Sequence, residues 1–140
     1  MDNEQFIPAE AHELQKQLDI SVVDPGDRDS IADYYKFEIN QGFGTVNQKT
    51  TFDKMVDFRK RQMDEGKLKV ITAKEENQLI ATSVVVLEKG TMGKDIGDEE
   101  AYAAGTLVLP DKRSGGIGEK MAASVFIGME NKLRVKNEWQ

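Results

Sequence analysis

Apolar positions along this chain switch between a helical and a strand period, and each switch marks an element. After Pro8, residues 9–18 put Leu14 and Leu18 on one face, predicting a short helix. Ile20–Val23 reads as a short strand closed by the turn Asp24-Pro25-Gly26-Asp27. Asp29 or Ser30 is expected to cap a helix running to about Asn40, with Ile31, Tyr34, Tyr35 and Ile39 as its apolar side. Thr50 or Thr51 is expected to cap a second helix, in which Phe52, Met55, Val56, Arg59 and Met63 recur at helical spacing until Gly66 stops it.

The period then shortens. Lys67–Ala73 and Gln78–Leu87 flank the polar turn 74–77 and predict a hairpin. Lys89–Asp98 reads as a glycine-rich mobile loop, and Ala101–Leu109 as the next strand. From Gly116 to about Arg134 the helical period returns, with Ile117, Met121, Val125, Met129 and Leu133 spaced by four and Ala122 and Phe126 widening the stripe. The methionines there read as core. The order strand, helix, helix, three strands, helix predicts an α/β fold with a mixed, largely antiparallel sheet flanked by helices. A single domain fills residues 1–140, with 1–19 as an N-terminal extension.

Composition narrows the partners. Of 140 residues 39% are hydrophobic and 31% charged, as in ordinary globular chains. The net charge of −6, without a basic stripe, argues against nucleic acid and mildly favours cationic substrates such as amines. No apolar run approaches the roughly 20 residues of a membrane span, and no secretory leader pattern is visible. The lack of cysteine excludes disulfides and thiolate metal sites and fits a reducing cytoplasm. The single histidine, His12, reads as a surface residue, and no metal constellation is expected.

Candidate chemistry concentrates in Thr106–Met121, where an apolar strand runs through Pro110 into an Arg/Ser/Gly segment and then a helix. That order makes a phosphate cradle, because glycines admit an anion close to the backbone and the first helical amides lack partners within the helix. A P-loop is excluded, since Glu119, Lys120 and Met121 follow Gly118 where Lys and a hydroxyl would be needed. A dinucleotide fingerprint is excluded too, since Met121 replaces the third glycine and too little chain follows for the acidic residue. A third form, Arg/Gln-x-x-Gly-x-Gly/Ala, fits Arg113-Ser114-Gly115-Gly116-Ile117-Gly118 after Val108-Leu109-Pro110.

This segment resembles motif A of the GNAT superfamily of acyl-CoA-dependent N-acetyltransferases, and the resemblance extends over about residues 20–135. It implies acetyl-CoA as co-substrate, with the backbone amides of Arg113, Ser114, Gly115, Gly116, Ile117 and Gly118 on its pyrophosphate. It implies that Leu107, Val108 and Leu109 offer backbone groups to the pantetheine arm, as an added strand does. The Arg113 side chain either adds charge or braces the loop, and Lys120 could reach a phosphate. The implied reaction is direct acyl transfer to an amine, on a small molecule or on a protein, with a carboxylate at the start of the fourth strand as base. Strand alternation puts Glu100, Tyr102, Ala104 and Thr106 on one face, so Glu100 and Tyr102 are the candidate catalytic residues.

Two other classes compete. One is a non-catalytic acyl-CoA-binding or degenerate module acting as sensor or interaction domain; the other is a glycine turn that only lets strand and helix pack closely. Family members continue with a fifth strand and a helix carrying a tyrosine acid, whereas seven residues follow Leu133 here. The C-terminal strand and helix are therefore expected to be missing. A truncated product, completion by a second chain or homodimer partner, or a degenerate domain would each account for that.

Overall fold

The computed structural model describes residues 18–42, 49–128 and 134–137. Five strands form one sheet in the order β1 (Leu18–Val22), β2 (Leu68–Glu75), β3 (Gln78–Val86), β4 (Glu100–Val108), β5 (Arg134–Asn137). Pairings are antiparallel except β4 with β5, which is parallel. Helices α1 (Arg28–Asn40) and α2 (Lys49–Asp64) connect β1 to β2, and α3 (Ile117–Gly128) follows β4. The β2–β3 turn holds Glu76 and Asn77 at φ 52° and 66°, the left-handed pair that a two-residue hairpin loop requires.

Each face of the sheet buries its own apolar cluster. On one, Ile117 and Met121 of α3 pack with Ile71, Ala73, Val85 and Ala101. On the other, Ile31 and Tyr34 of α1 and Val56 of α2 pack with Val70 and Val84. Each large side chain buried this way contributes about 1.5–3 kcal/mol, which fixes both helix layers onto the strands between them. The glycine turn before α3 is thereby held at the end of β4.

Several boundaries differ from the sequence expectation. Asp27, not Asp29 or Ser30, caps α1: its carboxylate accepts from the Ser30 amide at 3.2 Å and the Ser30 hydroxyl at 2.8 Å, which lowers its pKa. Helix α2 starts at Lys49, so Thr50 and Thr51 lie inside it. Strand β1 begins at Leu18, within the span expected to be an extension, and His12 lies outside the described residues. Helix α3 is described over Ile117–Gly128, the rest of its expected span, 129–133, lying outside the described residues, and Arg134–Asn137 pairs with β4 as a short fifth strand instead of being absent. The 89–98 segment is not an open loop, since Thr91 and Ile96 are buried and Met92 packs against the α1–α2 cluster.

Between α1 and α2 the Tyr34 hydroxyl donates to Glu38 at 2.5 Å in a buried setting. Burial raises the Glu38 carboxyl above its ordinary range, opposed by the Tyr34 hydrogen bond and the charge of Arg59. A raised carboxyl favours the protonated folded state, so the native chain binds more protons than the unfolded one across that window and stability falls as pH rises through it. Denaturant unfolding of Glu38→Gln should therefore show the variant gaining stability on the wild type as pH climbs from about 4.5. Parallel curves for the two proteins across that range would disprove it.

Candidate active site

Strand β4 contains the feature that shapes the site. Val85 pairs with Ala103 but Ser83 pairs with Thr106, so β4 carries one residue more than β3 across this stretch, and Gly105 takes φ 131°. This is a β-bulge, and glycine is the residue that adopts such a backbone without strain. The bulge reverses the face of everything beyond it. Ala101 and Ala103 face the α3 side and Ala104 the α1–α2 side. Thr106, directly opposite Ser83, then faces α3 as well, with the two hydroxyls 2.7 Å apart. The expected common face of Glu100, Tyr102, Ala104 and Thr106 is thus corrected at its last member.

The bulge also lies where β4 loses a neighbour. Pairing with β5 is described from Glu100–Arg134 to Ala103–Asn137, and among the described residues no strand accompanies the edge of β4 away from β3 beyond Ala103. Gly105 and Thr106 are exposed there. The Leu109 amide donates to the Ile80 carbonyl of β3 at 2.9 Å. By strand alternation Leu107 also turns its backbone groups to β3, while Thr106 and Val108 turn theirs to the open edge. Of the three residues expected to present backbone groups along this strand, Val108 turns its own to the open edge, whereas the Leu109 amide is bonded to β3 and Leu107 follows it by alternation. The Val108 carbonyl confirms the direction, since the Arg113 Nε donates to it at 3.1 Å. Arg113 therefore braces the turn.

Beyond Val108 a 3-10 turn spans Pro110–Gly115, and Gly116, at φ 76°, swings the chain into α3. The Lys120 amide makes an intrahelical bond to the Gly116 carbonyl at 3.2 Å, which leaves the preceding amides of Ile117, Gly118 and Glu119 without helical partners. Nothing lies within 4 Å of the place a Cβ would take on Gly115, Gly116 or Gly118, so the space above the turn is open. Lys112 is not available to that space. Its ammonium meets Glu75 at the tip of the β2–β3 hairpin, 2.7 Å away, and this carboxylate raises its pKa.

At the other end of β4 the Glu100 carboxylate accepts the Gly97 amide at 2.8 Å, and the Lys94 ammonium sits 4.6 Å from the centre of the Tyr102 ring. Glu100 and Tyr102 share the face covered by α1 and α2, because Tyr102 stands opposite Val86 and Val84 lies in that cluster. Two concave regions lie elsewhere, one under the start of α1 (Ser21, Asp24, Asp33, Lys74) and one beside Phe58, Gln62 and Lys67. Neither touches the glycine turn.

Solved structures share this architecture. An aminoglycoside acetyltransferase from an uncultured soil metagenomic sample, in complex with sisomicin, superposes with a TM-score of 0.65 at 14% identity, over 89% of this chain and 79% of that one. A GNAT family acetyltransferase of Staphylococcus aureus gives 0.64 at 13%, over 87% and 86%. A predicted acetyltransferase of Clostridium acetobutylicum, crystallised with acetyl-CoA, gives 0.61 at 16%, over 86% and 79%. The fold is that of the GNAT acetyltransferases. No protein-family model and no curated protein matches the sequence itself. Within the GNAT fold the chain places its bulge, open edge and glycine turn in one line along β4 and into α3.

Gly105→Ala tests the bulge. A Cβ at φ 131° meets no neighbour but strains the backbone, so unfolding in urea should show a loss of about 1–2 kcal/mol. An unchanged midpoint would mean that the bulge is not held as described.

Proposed function

We propose that this chain is an N-acyltransferase that moves an acyl group from acetyl-CoA to a primary amine by direct attack. The observation that carries this reading is the edge of β4 away from β3, which among the described residues has no partner beyond Ala103 and runs straight into an open glycine turn at the start of a helix. An extended chain of amides pairs with such an edge as an added strand would. A diphosphate suits the turn, where the helix-unpaired amides of Ile117 and Gly118 and the positive end of α3 favour negative charge. Acetyl-CoA, when bound, supplies an acyl group already activated as a thioester.

The roles follow from placement. Val108 and Thr106 offer backbone groups to the pantetheine arm, and Gly116 and Gly118 let the backbone approach the phosphates. Arg113 keeps the turn against the end of β4. Glu100 takes the proton from the incoming ammonium, its carboxylate steadied by the Gly97 amide. Tyr102, on the same face, lines the acceptor side beneath Lys94. A chain of net charge −6 suits a cationic acceptor, and an acetyltransferase of the same fold is described as acting on aminoglycosides. An amine on a small molecule or on a protein fits equally.

Calorimetry with acetyl-CoA tests the binding half: the wild type should give saturable heat, and Gly116→Glu, which puts bulk and negative charge over the turn, should abolish it. No heat from the wild type overturns the proposal. For the chemical half, Glu100→Gln should slow thiol release across a panel of amines by about 10²-fold while leaving acetyl-CoA affinity unchanged. Equal turnover by the two proteins would remove Glu100 from its role.

A further inference from the structure

We propose that the Thr106 hydroxyl, seated by Ser83, donates a hydrogen bond to the sulfur that leaves when the thioester is cleaved; this inference rests on the acyl-CoA reading above. The bulge at Gly105 turns Thr106 to the α3 face of the sheet, at a point where, among the described residues, no strand lies on the edge of β4 away from β3. Thr106 is exposed, whereas Ser83 beneath it retains only 1% of its surface. Their oxygens are 2.7 Å apart, as close cross-strand pairs allow. With the Ser83 proton on Thr106 Oγ1, the hydrogen of Thr106 is left to point at the open edge.

Length places the sulfur. An extended pantetheine arm reaches about 16 Å, roughly five residues of strand. Five residues back from Leu109, where strand gives way to turn, is Ala104, beside the bulge. The tyrosines nearest in the fold are otherwise engaged: Tyr34 donates to Glu38, and Tyr102 lies on the opposite face under Lys94. In the transfer, the ammonium gives one proton to Glu100 and the amine nitrogen forms the new C–N bond. The C–S bond breaks with its electron pair on sulfur, and the second nitrogen proton is released to solvent as the amide forms. Thr106 keeps its proton throughout. It lends a hydrogen bond while negative charge gathers on the sulfur, which makes that charge cheaper to form.

The experiment needs no acceptor. The full chain is saturated with free CoA, and the bound thiol is titrated by the ultraviolet absorbance of its thiolate. Thr106→Val should raise the thiol pKa by about one unit relative to wild type, because a hydrogen bond to the charged form is lost. Thr106→Ser should match the wild type, and Ser83→Ala, buried away from the open edge, should fall between them. Calorimetry at a pH where the thiol stays protonated should show all four proteins binding CoA within about twofold of one another. The same thiol pKa in wild type, Thr106→Val and Ser83→Ala overturns the assignment, as does a Thr106→Ser variant that behaves like valine. A wild type that binds no CoA has no bound thiol to titrate and overturns the acyl-CoA reading itself, a separate result.

Discussion

One backbone irregularity governs the rest of the molecule: the extra residue that β4 carries opposite β3 at Gly105. A regular strand would keep Thr106 on the face of Tyr102 and Ala104. The bulge instead bends β4 and turns Thr106 to the α3 face, just beyond the last described pair with β5. Every candidate group is then ordered along one line. Glu100 and Tyr102 lie before the irregularity, the hydroxyl pair at it, the open edge after it, and the glycine turn beyond. Small side chains at Ala101, Ala103 and Ala104 let both helix layers close over the strand that holds this line.

The glycine turn is built by separate means. Arg113 and Lys112 are both spent on the protein's own groups, the Val108 carbonyl and the Glu75 carboxylate. Anion attraction at the turn therefore rests on backbone amides and the helix end rather than on these two cationic side chains. Amides fixed by the backbone need no rearrangement to meet a ligand, unlike long flexible ammonium and guanidinium groups.

Most of the architecture was legible in the sequence because each element has one apolar face at a clear period, as in Ile31, Tyr34, Tyr35 or Ile117, Met121. The hairpin and the glycine turn were legible through their turn residues. What escaped depended on pairing between distant residues. The bulge reverses Thr106 only because of its register with Ser83, which alternation along β4 alone cannot reveal; Gly105 inside a strand was the available signal. For the same reason all of Leu107, Val108 and Leu109 looked equally able to offer backbone groups, until the Leu109 bond to Ile80 fixed which of them face β3. The short β5 was not expected, because the seven residues after Leu133 looked too few for a strand and a helix, and only pairing with the distant edge of β4 marks four of them as a strand.

The ion pair between Lys112 and Glu75 joins residues 37 positions apart and ties the turn before α3 to a hairpin tip. Exposed two-residue tips are ordinarily the most forgiving places in a protein for added or deleted residues. Here the carboxylate beside the tip would be carried off its mark by any change in loop length. Evolutionary tinkering with an outlying corner of the sheet would thus be felt at the far end of β4, and the tip should tolerate changes of residue much better than changes of length.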